Sequence, residues 1–456
     1  MTASSEGTNK SVRQLASEIL LKVDTRRAYA DLLLDHAFKS TALGERDRAL
    51  LTELTYGTLR WRGTIDAHLN RQLRRPLADA DPFLKNLLRI TLYQLLFLDR
   101  IPPYAAVNEA VELAKARSGV REGGFVNGVL RNFLRSNGEA LESQLAADSI
   151  AAMALKHSHP EWLVGRWIDQ FSVKNASALM QANNEQPPLV VRVNLNRTNR
   201  DAVLDRLHQD GISAESTSRS PQGIVITSGG ALARIPAFQE GLIQAQGEAS
   251  QLVVYLLAPR FGERILDACA APGGKATHIA EMMEDSGELI ASDTSVKGIE
   301  KIRENCTRLG LTSIQSLRAD VSNDLPNSYR APYDRILVDA PCSGFGTLRS
   351  HPEIKWQRNE IDIERLSRLQ ARIISRVASL VKPGGVLVYS TCTLIREENE
   401  QVVQNFLAMH KEFELQDAAR FLPPSAKHMV HDAYFLALPH RDNTDGFFAA
   451  RMRKVA

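Results

Sequence analysis

Two cysteines stand just after apolar runs that are typical of buried strands. The run 335–338 is followed by Asp339 and then by Cys342, and the run 386–391 is followed directly by Cys392. Ligands of open α/β sheets bind at the carboxyl edge of the strands, so both thiols are expected to face one pocket. A thiolate is a nucleophile, and two thiols beside a carboxylate therefore favour covalent catalysis.

Other cysteines and a lysine of the catalytic region have structural roles as alternatives to chemical ones. An intracellular cysteine is more often a small buried apolar residue than a nucleophile, and Cys306, inside a predicted helix, is interpreted that way. Cys269 lies in a glycine-rich turn and is expected to line a ligand pocket. Lys275, close to the same edge, is a candidate for favouring a thiolate, and the alternative is an exposed lysine at the start of a helix.

A glycine-rich turn follows the first predicted strand of the same region. It consists of Cys269, Ala270, Ala271, Pro272, Gly273, Gly274 and Lys275. The spacing is neither that of a dinucleotide fingerprint nor that of a phosphate-binding loop for triphosphates. Asp293 and Asp320 end the next two strands, where carboxylates accept hydrogen bonds from ribose hydroxyls. With Asp339, this set fits a nucleoside ligand without a pyrophosphate, such as S-adenosylmethionine.

Composition limits the class of protein. The chain has 456 residues, of which 44% are hydrophobic, so we expect a globular protein of two or three domains. No apolar run approaches the ~18 residues needed to span a bilayer, and residues 1–7 are polar. A cytoplasmic location without membrane contact is therefore predicted. The four cysteines form no CxxC pair, which argues against both zinc and a disulfide framework.

Three regions differ in their periodicity. Apolar residues from Val12 to about Arg135 recur at helical spacing, which predicts an all-helical domain over 1–140. Residues 141–239 contain strand patterns at 189–194 and 223–227 and a helix pattern at 201–207, and they predict a small α/β linker domain. Strands and helices alternate over 240–456, which predicts a catalytic domain with a mostly parallel sheet and helices on both faces. Its predicted strands are 264–269, 288–292, 313–318, 334–338, 386–390 and 446–451.

The helical region contains an arginine cluster with one acid, Asp66, in the same window. Its members are Arg60, Arg62, Arg71, Arg74 and Arg75. A nucleic-acid backbone favours such a patch through phosphate contacts and counterion release. The alternative is an ordinary solvated helix face.

Three motifs in combination carry a family resemblance. DACAAPGGK at 267–275, DAPCSGFG at 339–346 and YSTCT at 389–393 together resemble the RNA 5-methylcytosine methyltransferases of the NOL/NOP/Sun family. Segments 351–356, 397–400 and 445–448 support it. The predicted helical domain resembles a NusB-like RNA-binding domain in segments 46–48, 56–61 and 126–131. The combination of this helical domain with the catalytic region resembles, within the family, the members that act on 16S ribosomal RNA.

The resemblance implies a fold, a cofactor and a chemistry. It implies a Rossmann-like class I methyltransferase domain with a seven-stranded sheet, using S-adenosylmethionine to methylate C5 of a cytosine in 16S rRNA. Cys392 would be the nucleophile that adds to C6, Cys342 would act in release, and Asp339 would bond the N3/N4 edge of the base. A monomer without a metal is expected. Two alternatives are an RNA-binding assembly factor with a vestigial methyltransferase fold and a DNA cytosine methyltransferase.

Overall fold

The computed structural model describes residues 10–136, 149–228, 230–323 and 332–455. The chain forms two compact units. The first consists of Met1–Glu185 together with Leu348–Gln357, and the second of Gln186–Thr347 together with Arg358–Ala456. Among the described residues, no helix is both long and apolar enough to cross a membrane. The predicted division into three domains, at 140 and 239, stays a prediction.

The first unit is helical, as its periodicity predicts, and no strand occurs in residues 10–136 and 149–185. Its long helices are α1 (Val12–Arg26), α2 (Ala30–Ser40), α3 (Glu45–Arg60), α4 (Arg62–Gln72), α5 (Pro82–Phe97), α6 (Pro103–Ser118), α7 (Val120–Arg135), α8 (Ile150–His157) and α9 (Glu161–Asn183). The start of α5 is fixed by the Asp81 carboxylate, which accepts from Phe83 N and Leu84 N, and by Pro82 in the first turn. Residues on most sides of α5 are buried, so α5 is the central helix of this unit.

A segment that follows the Cys342 loop in sequence belongs to this helical unit. Within it, the Lys355 ammonium is almost completely buried and donates to the carbonyls of Arg60 and Ser158 and to Asn184 Oδ1, at 2.8, 2.9 and 3.0 Å. These three acceptors lie at the ends of α3, α8 and α9. Unpaired carbonyls at helix ends attract cations, so this lysine ties three helices together. Burial lowers the pKa of Lys355 well below its usual value.

The second unit begins with a small antiparallel sheet. Its strands are β1 (Leu189–Val193), β2 (Ala214–Ser216), β3 (Gly223–Ile226) and β4 (Ile243–Ala245), in the order β2-β3-β1-β4. Helix α10 (Arg200–Gln209) and the short α11 (Pro236–Gln239) complete it. The apolar side chains Val191, Val193, Val203, Leu207 and Ile224 form its core. The sequence predicts β1, β3 and α10 but not the three-residue strands.

The larger sheet carries the predicted catalytic residues. Its strands are β5 (Arg264–Asp267), β6 (Glu288–Asp293), β7 (Ile314–Arg318), β8 (Tyr333–Asp339), β9 (Val381–Thr391), β10 (Phe413–Gln416), β11 (Val430–His431), β12 (Tyr434–Ala437) and β13 (Phe447–Lys454). The order is β11-β12-β13-β9-β8-β5-β6-β7, with β10 on β13. β5 to β9 pair in parallel, and β13 runs antiparallel to β9. The sequence pattern predicts six of these strands, β5 to β9 and β13, and the resemblance implies a sheet of seven. The described sheet has nine strands, because the short strands β10, β11 and β12 add antiparallel pairs on the β13 side.

Both faces of this sheet are covered, as predicted. Successive residues of β5, Ile265 and Leu266, belong to two different buried clusters, since neighbouring side chains of a strand point to opposite faces. Helices α12 (Glu248–Leu257), α13 (Gly274–Met282) and α14 (Val296–Leu309) contribute to one cluster. Helices α16 (Glu360–Ala378) and α17 (Glu400–Met409) contribute to the other; α15 (Ile354–Gln357) lies in the helical unit. The carboxyl ends of β5 to β9 therefore lie along one edge.

Candidate active site

The two predicted thiols meet at this edge. Cys342 lies three residues after β8 and Cys392 one residue after β9, and their Sγ atoms are 3.3 Å apart. Both cysteines are half-buried. The pKa of Cys342 is raised well above its usual value, first by its hydrogen bond with Cys392 and then by burial. Either thiol can donate in this contact, and the raised pKa of Cys342 favours its protonated form as the donor.

The loops after β8 and β9 are joined by backbone contacts. Ala340 N donates to the Ser390 carbonyl at 2.8 Å, and Gly346 N donates to the Cys392 carbonyl at 2.9 Å. A Cβ at Gly346 would lie 2.0 Å from the carbonyl oxygen of Gly446, so only glycine fits there. Glycine at this position therefore lets three backbone segments approach one another around the second thiol.

Asp339 is held from both sides at the end of β8. The Lys275 ammonium donates to its Oδ2 at 2.6 Å, and the Ser390 hydroxyl donates to its Oδ1 at 2.8 Å. Lys275 is 9% exposed, and its ammonium lies 4.8 Å from the centre of the Phe447 ring. The ion partner of Lys275 in the described structure is thus this carboxylate, although the sequence suggested that it favours a thiolate. Sequence patterns assign no role to Ser390; its register opposite Asp339 brings it here.

The glycine-rich turn is anchored to the next strand. Ala271 N donates to Asp293 Oδ2 at 3.0 Å, and Ser295 N donates to Asp293 Oδ1 at 2.8 Å. Gly273 has φ +100°, which favours glycine. A Cβ at Gly274 would meet no atom of the described residues within 4 Å, apart from its chain neighbours and the backbone of its own helix. The backbone at the start of α13 thus borders open space, which suits a ligand that approaches the main chain closely.

The remaining cofactor candidates differ in their surroundings. Asp320 lies two residues beyond β7, is exposed, and accepts hydrogen bonds within its own turn from Ser322 N at 2.9 Å and from the Asn323 side chain at 2.9 Å. Since β7, β6, β5 and β8 are neighbours in that order, Asp320, Asp293 and Asp339 are spread along one edge. Asp320 is the outermost of the three.

A buried carboxyl at the centre of this edge has no role in the sequence interpretation. Asp267 ends β5 and is 1% exposed. Burial, followed by the negative charge of Asp339, raises its pKa to about 8. Burial and the nearby acids also raise the pKa of Cys269 well above its usual value, which disfavours a thiolate there. Asp267 is the last residue of β5 and lies two residues before the start of the turn. That position is the sequence signal by which it could have been recognised as a candidate site residue.

The predicted arginine cluster divides into two parts. The Arg60 guanidinium is buried and donates to the Arg349 carbonyl at 3.0 Å, and Arg62 pairs with Asp24 at 2.8 Å. These two arginines hold the helical unit together. The other three are exposed at and beyond the end of α4: Arg71, Arg74 and Arg75. The Asn132 amide donates to Gln72 Oε1 at 2.7 Å, which brings the exposed arginines of α7, Arg131 and Arg135, to the same side of this unit.

Among the residues that the structure describes, one group of potential metal ligands lies in the helical unit. Donor atoms of Asp31, His351 and Glu353 are within 4.8 Å of one another. One oxygen of Glu353 accepts from Ala30 N at 3.1 Å. Asp31 is exposed, and exposed acids group in this way without an ion. The sequence predicts no metal, and this group does not belong to the thiol edge of the second unit.

Comparisons with known proteins cover nearly the whole chain. A family model described as 16S rRNA methyltransferase RsmB/F matches residues 254–453, one described as the NusB family matches residues 10–135, and a ferredoxin-like domain of RsmF/B-like methyltransferases matches residues 159–233. The probable ribosomal RNA small subunit methyltransferase B of Bacillus subtilis (strain 168) is 39% identical over 445 residues, which cover 97% of this chain and 99% of that protein.

Solved structures agree with these matches. The crystal structure of PH0851 is 26% identical, has a TM-score of 0.83, and covers 98% of this chain and 99% of its own. A methyltransferase homolog protein from Pyrococcus horikoshii is 27% identical with a TM-score of 0.58, and the match covers 68% of this chain and 100% of that chain.

Proposed function

The chain belongs to the 16S rRNA methyltransferase RsmB/F family, and from this premise we propose that it methylates C5 of a cytosine in 16S ribosomal RNA. The observation that carries the proposal is the pair of thiols 3.3 Å apart beside the Asp339–Lys275 ion pair. Cytosine C5 is a poor nucleophile, and a thiolate is a group that activates it by adding to C6. The second thiol, Cys342, is within reach to act in the release step, which returns the enzyme to its starting state.

S-adenosylmethionine fits the edge next to the thiols. The open backbone at Gly274 and the carboxylates of Asp293 and Asp320 offer a cradle and acceptors for hydroxyl groups. When bound, the cofactor supplies an electrophilic methyl group on a sulfonium. The residues proposed to hold it are those of the turn 269–275 with Asp293, Asp320 and Asp339.

The proposed reaction divides one difficult step into easier ones. The Cys392 thiolate adds to C6, and the electron pair of the 5,6 double bond becomes available at C5. With S-adenosylmethionine bound, C5 would take its methyl group as the methyl–sulfonium bond breaks and the neutral thioether leaves. A general base would then remove the C5 proton, and the C6–sulfur bond would break to restore the aromatic ring and the thiolate. The target cytosine must be unstacked from its neighbours in the RNA, because the thiolate attacks the face of its ring.

The environment of the thiols supports this assignment of roles. The hydrogen bond with Cys392 and burial raise the pKa of Cys342, which favours its protonated form. With Cys342 as the donor, the hydrogen bond between the two thiols would stabilise negative charge on Cys392, the proposed nucleophile. Asp339 ends β8, and its proposed role is to accept from the amino group at the cytosine N4 edge in addition to Lys275 and Ser390.

A methyl-transfer assay tests the proposal and its two alternatives. Purified protein and labelled S-adenosylmethionine are incubated with a 16S rRNA transcript, with small ribosomal subunits and with duplex DNA, and the modified base is identified by mass spectrometry of nucleosides. We expect 5-methylcytosine in rRNA only. Label in duplex DNA would instead indicate a DNA enzyme. RNA binding without transfer to transcript or particle would indicate an assembly factor.

A further inference from the structure

Two consecutive buried residues lie between the loops that carry the thiols. Glu398 and Asn399 are 0% and 1% exposed and precede α17. The Tyr389 hydroxyl donates to the Glu398 carbonyl at 2.6 Å, which ties this pair to β9. Neither residue has a part in the proposed reaction. A buried carboxylate is costly unless hydrogen bonds satisfy it, so its partners indicate its role.

The Glu398 carboxylate holds the loop of the first thiol. Its Oε1 accepts from Ser343 N at 2.9 Å, and its Oε2 accepts from the Ser343 hydroxyl. The Gln370 amide donates to the same carboxylate and to the Pro341 carbonyl, each at 2.9 Å. The residues on both sides of Cys342 are therefore fixed through Glu398 and its partner Gln370.

The Asn399 amide holds the loop of the second thiol in the same manner. Its Oδ1 accepts from the Thr391 hydroxyl at 2.6 Å, and its Nδ2 donates to the Thr393 carbonyl at 3.0 Å. These are the residues on both sides of Cys392. A hydrogen bond of 2.8 Å between the hydroxyls of Ser343 and Thr393 joins the two loops to each other.

We propose that Glu398 and Asn399 are positioning residues, Glu398 for Cys342 and Asn399 for Cys392. They are adjacent in the chain and hold both thiol loops, so they set the separation of the two sulfur atoms. The proposal rests on the thiol roles proposed above, because it assigns each residue to one half of the reaction. Reacting atoms must approach to about 3–3.5 Å, and a displacement of ~1 Å is enough to lower a rate on the order of 10²-fold.

The first experiment separates attack from release. Glu398→Gln keeps the shape of the side chain but presents an amide to Ser343, and it is expected to accumulate a covalent protein–RNA adduct because release is slowed. Asn399→Ala, combined with Cys342→Ala, is expected to slow adduct formation on the order of 10²-fold relative to Cys342→Ala alone. General damage would alter both steps in both variants. The proposal would be overturned if Glu398→Gln and Asn399→Ala affected adduct formation and adduct release equally. It would also be overturned if neither variant affected either step.

Glu364→Gln is the matched control. This carboxylate is exposed on α16, the helix that also carries Gln370, and it pairs with Arg368 on the surface. We expect its adduct formation and release to equal those of the wild type. Cofactor affinity by calorimetry and the thermal unfolding midpoint of all variants show whether the fold is intact.

The second experiment does not depend on methyl transfer. Diamide oxidises two neighbouring thiols to a disulfide and is itself reduced to the hydrazine by the two hydrogens that they lose. The Cys342–Cys392 disulfide is measured by mass spectrometry of peptides. We expect about 10-fold slower formation in Glu398→Gln and Asn399→Ala than in wild type and Glu364→Gln. Unchanged rates in both variants would overturn the positioning role. An adduct missing from Cys342→Ala, with the slower oxidation retained, would instead overturn only the proposed covalent reaction.

Discussion

The Lys275 ammonium lies 2.6 Å from the Asp339 carboxylate, which links the glycine-rich turn to the strand that leads to Cys342. The two groups are partly buried, and each stabilises the charge of the other. The pair connects the region proposed to bind the cofactor with the region proposed to bind the base. Charges held in place at a reacting centre stabilise the transition state without further reorganisation.

Loss of either member of this pair is therefore expected to lower the rate of the chemical step. Lys275→Met and Asp339→Asn should each reduce single-turnover methyl transfer by about 10²-fold at saturating cofactor. The double variant should be little slower than either single variant, because the two residues act as a unit. Lys301→Met, on the exposed side of α14, is the control and should retain the wild-type rate. Additive losses would show that the two residues act independently.

The two thiols are expected to give opposite phenotypes. Cys392→Ala should lose both methyl transfer and any covalent RNA adduct, because nothing attacks C6. Cys342→Ala should still attack but release slowly, so a protease-sensitive adduct should remain on denaturing gels. The double variant should form none. An adduct in Cys392→Ala and none in Cys342→Ala would reverse the two roles and leave the reaction class intact.

Asp293 is expected to affect cofactor affinity. Asp293→Ala should weaken binding of S-adenosylmethionine by about 1–3 kcal/mol, since it removes an acceptor for a ribose hydroxyl and the hydrogen bond from Ala271 N. Asp293→Asn retains one acceptor oxygen and should be intermediate. Calorimetry measures both, with the exposed Asp205→Ala as control. Wild-type affinity in Asp293→Ala would contradict the assignment.

The exposed arginines beyond α4 are expected to bind RNA phosphates. Charge reversal of Arg71, Arg74 and Arg75 should weaken RNA binding and reduce the slope of log affinity against log salt by about 1 for each phosphate that is no longer neutralised. Reversal of three exposed arginines of α16 gives the same change in net charge and serves as the control; these are Arg365, Arg368 and Arg372. A wild-type slope in the first variant, with the fold intact, would identify an ordinary solvated surface.

The sequence predicts local elements well because their signals are local. The runs before Cys342 and Cys392 are strands, and parallel pairing alone brings their ends to one edge. Contacts between distant residues have no such signal. In the sequence, Arg60 and Arg62 look like ordinary surface arginines. Their partners in the fold, the Arg349 carbonyl and Asp24, lie 289 and 38 residues away, so the sequence gives no signal of these contacts. Lys355 likewise lies within the catalytic region by its position in the sequence, although its partners belong to the helical unit.

Glu398, inside the site, is another residue whose contacts have no local signal in the sequence. The sequence identifies its segment as a motif, but its hydrogen bond with Ser343 spans 55 residues and depends on two loops that meet only in the folded sheet. Ser390 has no role in the sequence interpretation for a similar reason, because its hydroxyl reaches Asp339 across the pairing of β8 with β9. Residue type and position after a strand thus predict which groups are candidates for reaction. The residues that hold these groups in place become visible only when the pairing of the strands is known.

The carboxyl of Asp267 is expected to make stability depend on pH in a particular direction. Its pKa is raised to about 8 in the folded protein, while an unfolded aspartate titrates near ~4. Below about pH 4 the group is protonated in both states. As pH rises from there towards 8, the unfolded chain releases its proton first, so this group's contribution to the free energy of unfolding falls and is lost above its folded pKa.

Asp267→Asn removes this titration and is expected to be more stable than the wild type at pH 8, with a smaller difference or the reverse at pH 5. Urea unfolding without cofactor at both pH values measures the effect. Asp285→Asn is the control of opposite sign: burial alone would raise the pKa of Asp285, but hydrogen bonds from Ser313 and Thr312 outweigh it and lower the pKa. That variant should lose stability at pH 8, and its loss relative to wild type should shrink only as pH falls through the acidic range. An Asp267→Asn protein whose stability difference from wild type is the same at pH 5 and pH 8 would show that this carboxyl is not held protonated.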